Sequence, residues 1–200
     1  MKHYQAGDIV GVKSTGITGK LNTAIFTPHT KLFHFAIIYT HIAREDDYII
    51  LHSTDKGIGV GRLSWYKDYR VFRLTKNIDI QLWGRIACAN LTKLGKAKYD
   101  YLIFVKLLFG CLRAWLAQLL KDGRFRAIKP KELHYARDRR FTCTEAVNEA
   151  WRSIGFPIIP KGVVPLPAGI IQALIDKKLK EVTASPAVTP RLIKNARRKL

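Results

Sequence analysis

Between residues 8 and 74 the chain carries five short runs rich in Val, Ile, Tyr and Phe, and these narrow its possible folds more than any other feature. The runs cover 8–13, 33–40, 48–53, 59–63 and 69–74, and each reads as a strand. Helical patterns dominate afterwards. One covers 78–94, with Asn77 as N-cap and Gly95 as stop, and a shorter one fits 19–26 in the front half. Another covers 143–154, ended by Gly155, and a last one 168–180, after a loop punctuated by four prolines. Strands first and helices later predict an α+β domain with a central antiparallel sheet and packed helices.

With 200 residues, 48% of them apolar and 25% charged, the chain has enough material for one domain with a real core. That composition excludes disorder over most of its length. The most apolar segment, 101–120, is about as long as a bilayer is thick. Lys106 and Arg113 stand seven apart within it and share a helical face, which argues against a span. The expectation is an amphipathic helix packed on the core, with a membrane-surface helix as the alternative. The first ten residues lack the apolar stretch of a signal peptide, so a cytoplasmic protein, or one carried in or delivered by a virus particle, is expected.

Lys and Arg number 35 against 15 acids, a formal charge of +20. Such a charge predicts attraction to nucleic acid, anionic lipid or another acidic polymer, and says nothing of fold. The segment 121–140 is a basic connector of net +5. From Lys177 to the end there are eight basic residues and one acid, net +7. The reading is a domain over 1–180 and a basic tail over 181–200. The tail would contact an anionic polymer or membrane surface and do no chemistry, so truncation after Asp176 should leave turnover of a small substrate unchanged.

Several chemistries are excluded. Gly19-Lys20 lacks the rest of a phosphate loop, with Ser14 and Leu21 at the positions that need Gly and Ser or Thr. The run Gly57-Ile-Gly-Val-Gly61 continues with Arg62 where a dinucleotide fingerprint needs glycine, so it reads as a turn and a tight strand. No GxSxG or HExxH occurs, the histidines have no metal spacing, and three cysteines give neither a disulfide framework nor a CxxC pair. No cofactor and no metal site is expected.

The segment from Phe141 to Gly155 is the most readable. Thr142 and Glu145 form a Thr-x-x-Glu capping box, which places Cys143 at the first helical position. Apolar residues follow at 143, 146, 147, 150, 151 and 154, one helical face. Unpaired N–H groups and the positive dipole end favour a thiolate at a helix start. Cys88 and Cys111 fall inside helical patterns and read as core. A nucleophilic cysteine needs a base and a group to orient it. His34 opens one strand and His52 closes the next. A hairpin centred near Ala43 would set them directly opposite, about 5 Å apart at Cβ.

Gly7-Asp8-Ile9-Val10, His34 at the head of an apolar strand, Ile-Leu-His52, the strand ending at Arg73, Tyr99-Asp100-Tyr101 and Cys143-Thr-Glu-Ala-Val follow one another in that order. In this the chain resembles the circularly permuted NlpC-like papain superfamily, nearest its YiiX-like hydrolases, with kinship to lecithin–retinol acyltransferase-like enzymes. The resemblance spans about residues 6–175 and implies a permuted papain-like fold. It makes Cys143 the nucleophile, His34 the base and His52 the orienting residue. YiiX-like members commonly have an acid at the place of His52, and histidine there is closer to the acyltransferase-like branch. Asp8 would shape a strand start, and Tyr99 and Asp100 would either border the site or have a structural role. The implied activity is a cysteine amidase or peptidase acting on peptide or cell-wall stem-peptide bonds. The alternatives are a lipid or thioester acyl hydrolase or transferase at a membrane surface, and a catalytically inactive basic polyanion-binding or virion-associated protein.

Overall fold

The computed structural model describes residues 4–13, 32–54, 56–95, 109–110, 112–113, 116–121, 123, 142–160, 163 and 165–183. The helix expected at 19–26, Tyr99, Asp100, most of the connector 121–140 and the end of the chain from 184 on lie outside them.

The protein is α+β. All five expected strands form: β1 (Ile9–Lys13), β2 (Leu32–Ile42), β3 (Asp47–Thr54), β4 (Gly57–Arg62) and β5 (Tyr69–Leu74). A sixth, β6 (Leu179–Glu181), was not expected. The sheet has the order β4-β3-β2-β1-β5-β6, and every neighbouring pair is antiparallel. Helices α1 (Ile80–Lys93), α2 (Cys143–Arg152) and α3 (Pro167–Ile175) pack on one face of the sheet.

Strand alternation divides the core. Ile9, Phe35, Ile37, Leu51 and Phe72 face the helices and pack with Leu91, Val147, Trp151 and Ile170. Val10, Val12, Ala36, Ile38, Ile50 and Val71 face the other way, with Tyr4, Tyr48 and Leu63. The period of two makes this split, because successive side chains leave opposite faces. Helix α1 lies close on the start of β1. A Cβ on Gly84 would sit 1.9 Å from the carbonyl oxygen of Ala6, so only glycine allows the approach. Beside it, the buried Trp151 donates its indole N–H to the carbonyl of Gly7 at 3.1 Å.

Four sequence expectations need correction. Helix α1 is capped by Asp79 rather than Asn77, because the Asp79 carboxylate reaches the N–H of Leu82, three residues on. Helix α2 stops at Arg152, short of Ile154, and Gly155 follows with φ +87°. The last helix stops at Ile175 rather than at residue 180. Lys177 turns the chain at φ +58°, and Leu179 then points into the core while Lys180 stays outside. Glu181, assigned to the tail, is thus the last residue of a strand. Its carboxylate accepts from Arg70 Nε at 2.7 Å, and both side chains are buried.

The apolar segment departs most from expectation in its described part, residues 101–108 lying outside the described residues. Its described residues between 109 and 121 are helical. Phe109, Leu112, Leu116, Leu119 and Leu120 are nevertheless exposed, so this stretch is not a helix with its leucines in the core. Among the described residues no helix is long and apolar enough to cross a membrane.

Candidate active site

Cys143 stands where the capping box places it. Thr142 Oγ1 accepts from the N–H of Glu145 at 3.1 Å, and the Glu145 carboxylate reaches back to the N–H of Thr142 at 3.5 Å. The reciprocal bonds fix the first turn of α2 and leave Cys143 as its first residue, buried, with Thr144 Oγ1 4.0 Å from its sulfur. Burial extends past the apolar face. Thr144, Glu145 and Asn148 are also enclosed. Asn148 Oδ1 accepts from the N–H groups of both Ile158 and Ile159, tying the Pro-rich loop to the helix.

The two histidines meet, though not by the predicted register. Ile37 pairs with Leu51 and Ile38 with Ile50, whereas Thr40 pairs with Ile49. A bulge at Tyr39 accounts for the shift, and extending the register past Ile37 puts Ala36, not His34, opposite His52. His34 is a diagonal neighbour of His52 on the same face. Diagonal Cβ atoms lie up to about 7–8 Å apart, within reach of imidazoles. His34 Nε2 and His52 Nδ1 approach to 3.0 Å, with the rings edge to face at 80°.

Glycines on β4 make room for this pair. Gly59 lies opposite His52 in the register. A Cβ on Gly61 would lie 3.3 Å from His52 Nε2 and 3.3 Å from the Trp65 ring, so bare backbone there leaves a slot that the imidazole and indole share. The sequence reading of Gly57–Gly61 as a tight strand holds, but misses that function. Gly61→Val should push His52 off its bond to His34. Displacements of about 1 Å in a catalytic group can cost about a hundredfold in rate. A fall of that order with an unchanged melting temperature is the expected result. Full activity would show that the slot does not position His52.

Burial lowers both imidazoles from the ordinary 6.5 to about 4, and at His52 the neighbouring His34 adds to the effect. Both rings are therefore neutral near pH 7, and one N–H serves their contact. Beside them lies a cleft of about 570 Å³ bounded by Val12, His34, His52, Trp65, Tyr66 and Asp68. Trp65 is 62% exposed at its edge.

Alternation places His34 and His52 on the face away from α2. What they share with Cys143 is one end of the sheet. The C-terminal end of α2 is fixed at the start of β1 by the Trp151–Gly7 bond. Eight residues back, about 12 Å along the helix, stands Cys143 at its N-terminus. Tyr66 links the two sides. Its ring centroid is 6.3 Å from that of His34. Burial raises its pKa, and a thiolate at Cys143 would raise it further.

The other candidates fall outside this cluster. Asp8 is fully buried and holds Arg73 through two bonds of 2.7 Å while accepting from the N–H of Gln5, so it secures the start of β1. Cys88 is buried, donates to the carbonyl of Ile38 at 3.3 Å, and has its thiol pushed up to about 12 by burial. Cys111 lies outside the described residues. Among the described residues no three or more His, Cys, Asp or Glu side chains form a metal-binding group. Sequence reasoning missed Tyr66 and Trp65. Their place in the six-residue connection between β4 and β5 was visible, but nothing in the residue pattern marks which face they join.

No family model matches the chain. No curated protein matches it either. Among solved structures it is similar to the crystal structure of metalloprotein yiiX from Escherichia coli O157:H7. The identity is 15%, the TM-score 0.47, and the match covers 96% of this chain and 92% of that one.

Proposed function

We propose that the protein is a cysteine-dependent acyl hydrolase of permuted papain-like type, with Cys143 as nucleophile, His34 as general base and His52 as its positioning partner. The hydrogen bond between His34 Nε2 and His52 Nδ1 carries this reading, because a bond between two neutral rings needs one donor and one acceptor, which suits a base and a partner that orients it. If His34 donates through Nε2–H, its Nδ1 keeps the lone pair that can take a proton from a thiol. His52, accepting through Nδ1, carries its own proton on Nε2 and fixes the tautomer and tilt of His34.

In the proposed cycle His34 Nδ1 takes the thiol proton and the Cys143 thiolate attacks the acyl carbon. The tetrahedral oxyanion is met by the backbone N–H of Cys143, at a helix N-terminus where donors and the dipole favour negative charge. Collapse breaks the bond to the leaving group, which takes the proton from His34. A thioester remains. Water gives a proton to His34 and attacks the thioester, the C–S bond breaks to release the acid, and the thiolate takes that proton back from His34 to restore the thiol. An amide in a peptide or cell-wall stem peptide is the leading substrate. The exposed Trp65 beside the cleft favours an acyl group with apolar character as the second reading.

The test is a pair of substitutions. His34→Gln should abolish turnover, and His52→Gln should retain part of it. Because both imidazoles are lowered to about 4, the acid limb of the rate profile should fall well below the ordinary 6.5. An essential His52 with a dispensable His34 reverses the assignment. Trapping the acyl-enzyme from a cell extract and weighing the acyl group distinguishes amide from lipid substrates. The same shifts act on stability. In the folded protein both rings resist protonation, so below 6.5 the unfolded chain binds more protons, and stability should decline as pH falls from about 6.5 to about 4.

A further inference from the structure

The helical residues between 109 and 121 are arranged inside out. At about 100° per residue, Phe109, Leu112, Leu116, Leu119 and Leu120 fall within an arc of about 100°. All five are exposed, from 41% at Leu119 to 80% at Leu120. On the opposite side of the same wheel stands Gln118, which is buried. The polar amide faces the protein and the leucines face outward. Ordinary surface helices do the reverse, and a contiguous apolar patch of large side chains marks an interaction surface.

Charge selects the partner. Arg113 is exposed and stands about 20° beyond the edge of the apolar arc, whereas Lys121, also exposed, lies well round toward the other side of the helix. The whole chain carries +20. Two copies meeting through this face would bring like charges together, whereas an anionic bilayer attracts Arg113 and accepts the leucines. Apolar residues on one face with basic residues beside them are the make-up of helices that lie in a membrane interface. We propose that this face is a membrane-docking surface for anionic lipid, with Phe109 and the four leucines entering the headgroup boundary and Arg113 at its edge contacting lipid phosphates.

The proposal does not depend on the hydrolase reading, and its test needs no substrate. The full chain is sedimented with phosphatidylcholine vesicles, with and without about one third phosphatidylglycerol. Binding should be at least about tenfold tighter on the anionic vesicles, since each basic residue near such a surface adds a comparable attraction. Leu116→Glu with Leu120→Glu should lower it about tenfold or more at an unchanged circular dichroism spectrum. Arg113→Glu, a second variant confined to an exposed position, should do likewise. Part of the wild-type binding should survive high salt, because the apolar insertion is not screened. Equal binding to both vesicle types, or none, overturns the proposal. So does binding that high salt removes entirely and neither variant alters, which would place it in the basic C-terminal residues. A dimer in solution that the leucine variant splits, with no change on vesicles, assigns the face to a second copy instead.

Discussion

Iodoacetamide near neutral pH should alkylate Cys143 in the folded protein and leave Cys88 unmodified. The contrast rests on two kinds of buried sulfur. Cys88 is fully enclosed in α1, bonded to the carbonyl of Ile38, and its thiol is pushed from the ordinary 9.0 to about 12. That shift cuts its thiolate about a thousandfold, and the thiolate is the species that reacts. Cys143 opens α2, where N–H groups and the helix dipole favour negative charge. Peptide mapping after timed labelling reads the difference directly. Cys143→Ala should abolish turnover while leaving the melting temperature close to that of the parent, since it removes one sulfur from a helix held by Thr142 and Glu145. Equal labelling of Cys143 and Cys88 in the folded chain would remove the nucleophile assignment, and turnover by Cys143→Ala would end it.

The parts of this molecule that were legible in its sequence are those fixed by local chemistry. The capping box was readable because Thr142 and Glu145 bond to each other's backbone within one turn. The five strands were readable because β-branched and aromatic residues cluster between turns. Register was not. The bulge at Tyr39 slides β3 against β2, and nothing in Ile-Ile-Tyr-Thr announces it. The histidines meet all the same, because an imidazole is long enough to reach a diagonal neighbour. Alternation, applied to both strands, would have put His34 and His52 on one face, but not that α2 covers the other. The helical stretch after Phe109 was misjudged for a different reason. Hydropathy says that a segment is apolar without saying which way its apolar side points, and here the buried position went to Gln118. β6 was hidden by length: three residues, with Leu179 and Glu181 turned inward and Lys180 outward, are too few to show a period.

Removal of everything after Asp176 should destabilise the fold severely, contrary to what the charge pattern alone suggests. β5 lies between β1 and β6, so the truncation strips one whole side of a core-forming strand. Leu179 leaves the core. The N–H of Thr75 loses the carbonyl of Lys178, that of Val71 loses Thr183 Oγ1, and the carbonyl of Val71 loses the N–H of Val182. Arg70 fares worst. Its guanidinium is 8% exposed and bonded to the Glu181 carboxylate through Nε and Nη2, and without Glu181 a buried cation is left uncompensated. Breaking such a pair from one side costs about 3–5 kcal/mol, a large share of the stability of an ordinary domain. Truncation after Thr183 keeps every one of these contacts and should change the unfolding free energy by no more than about 0.5 kcal/mol. Glu181→Gln isolates the ion pair by keeping the shape and removing the charge, and should fall between the two. Urea unfolding of the three chains beside the parent measures the series. A chain ending at Asp176 that unfolds at the parent's midpoint would mean that β6 contributes nothing to the sheet, and that the basic C-terminal residues begin where their charge does, at Lys177.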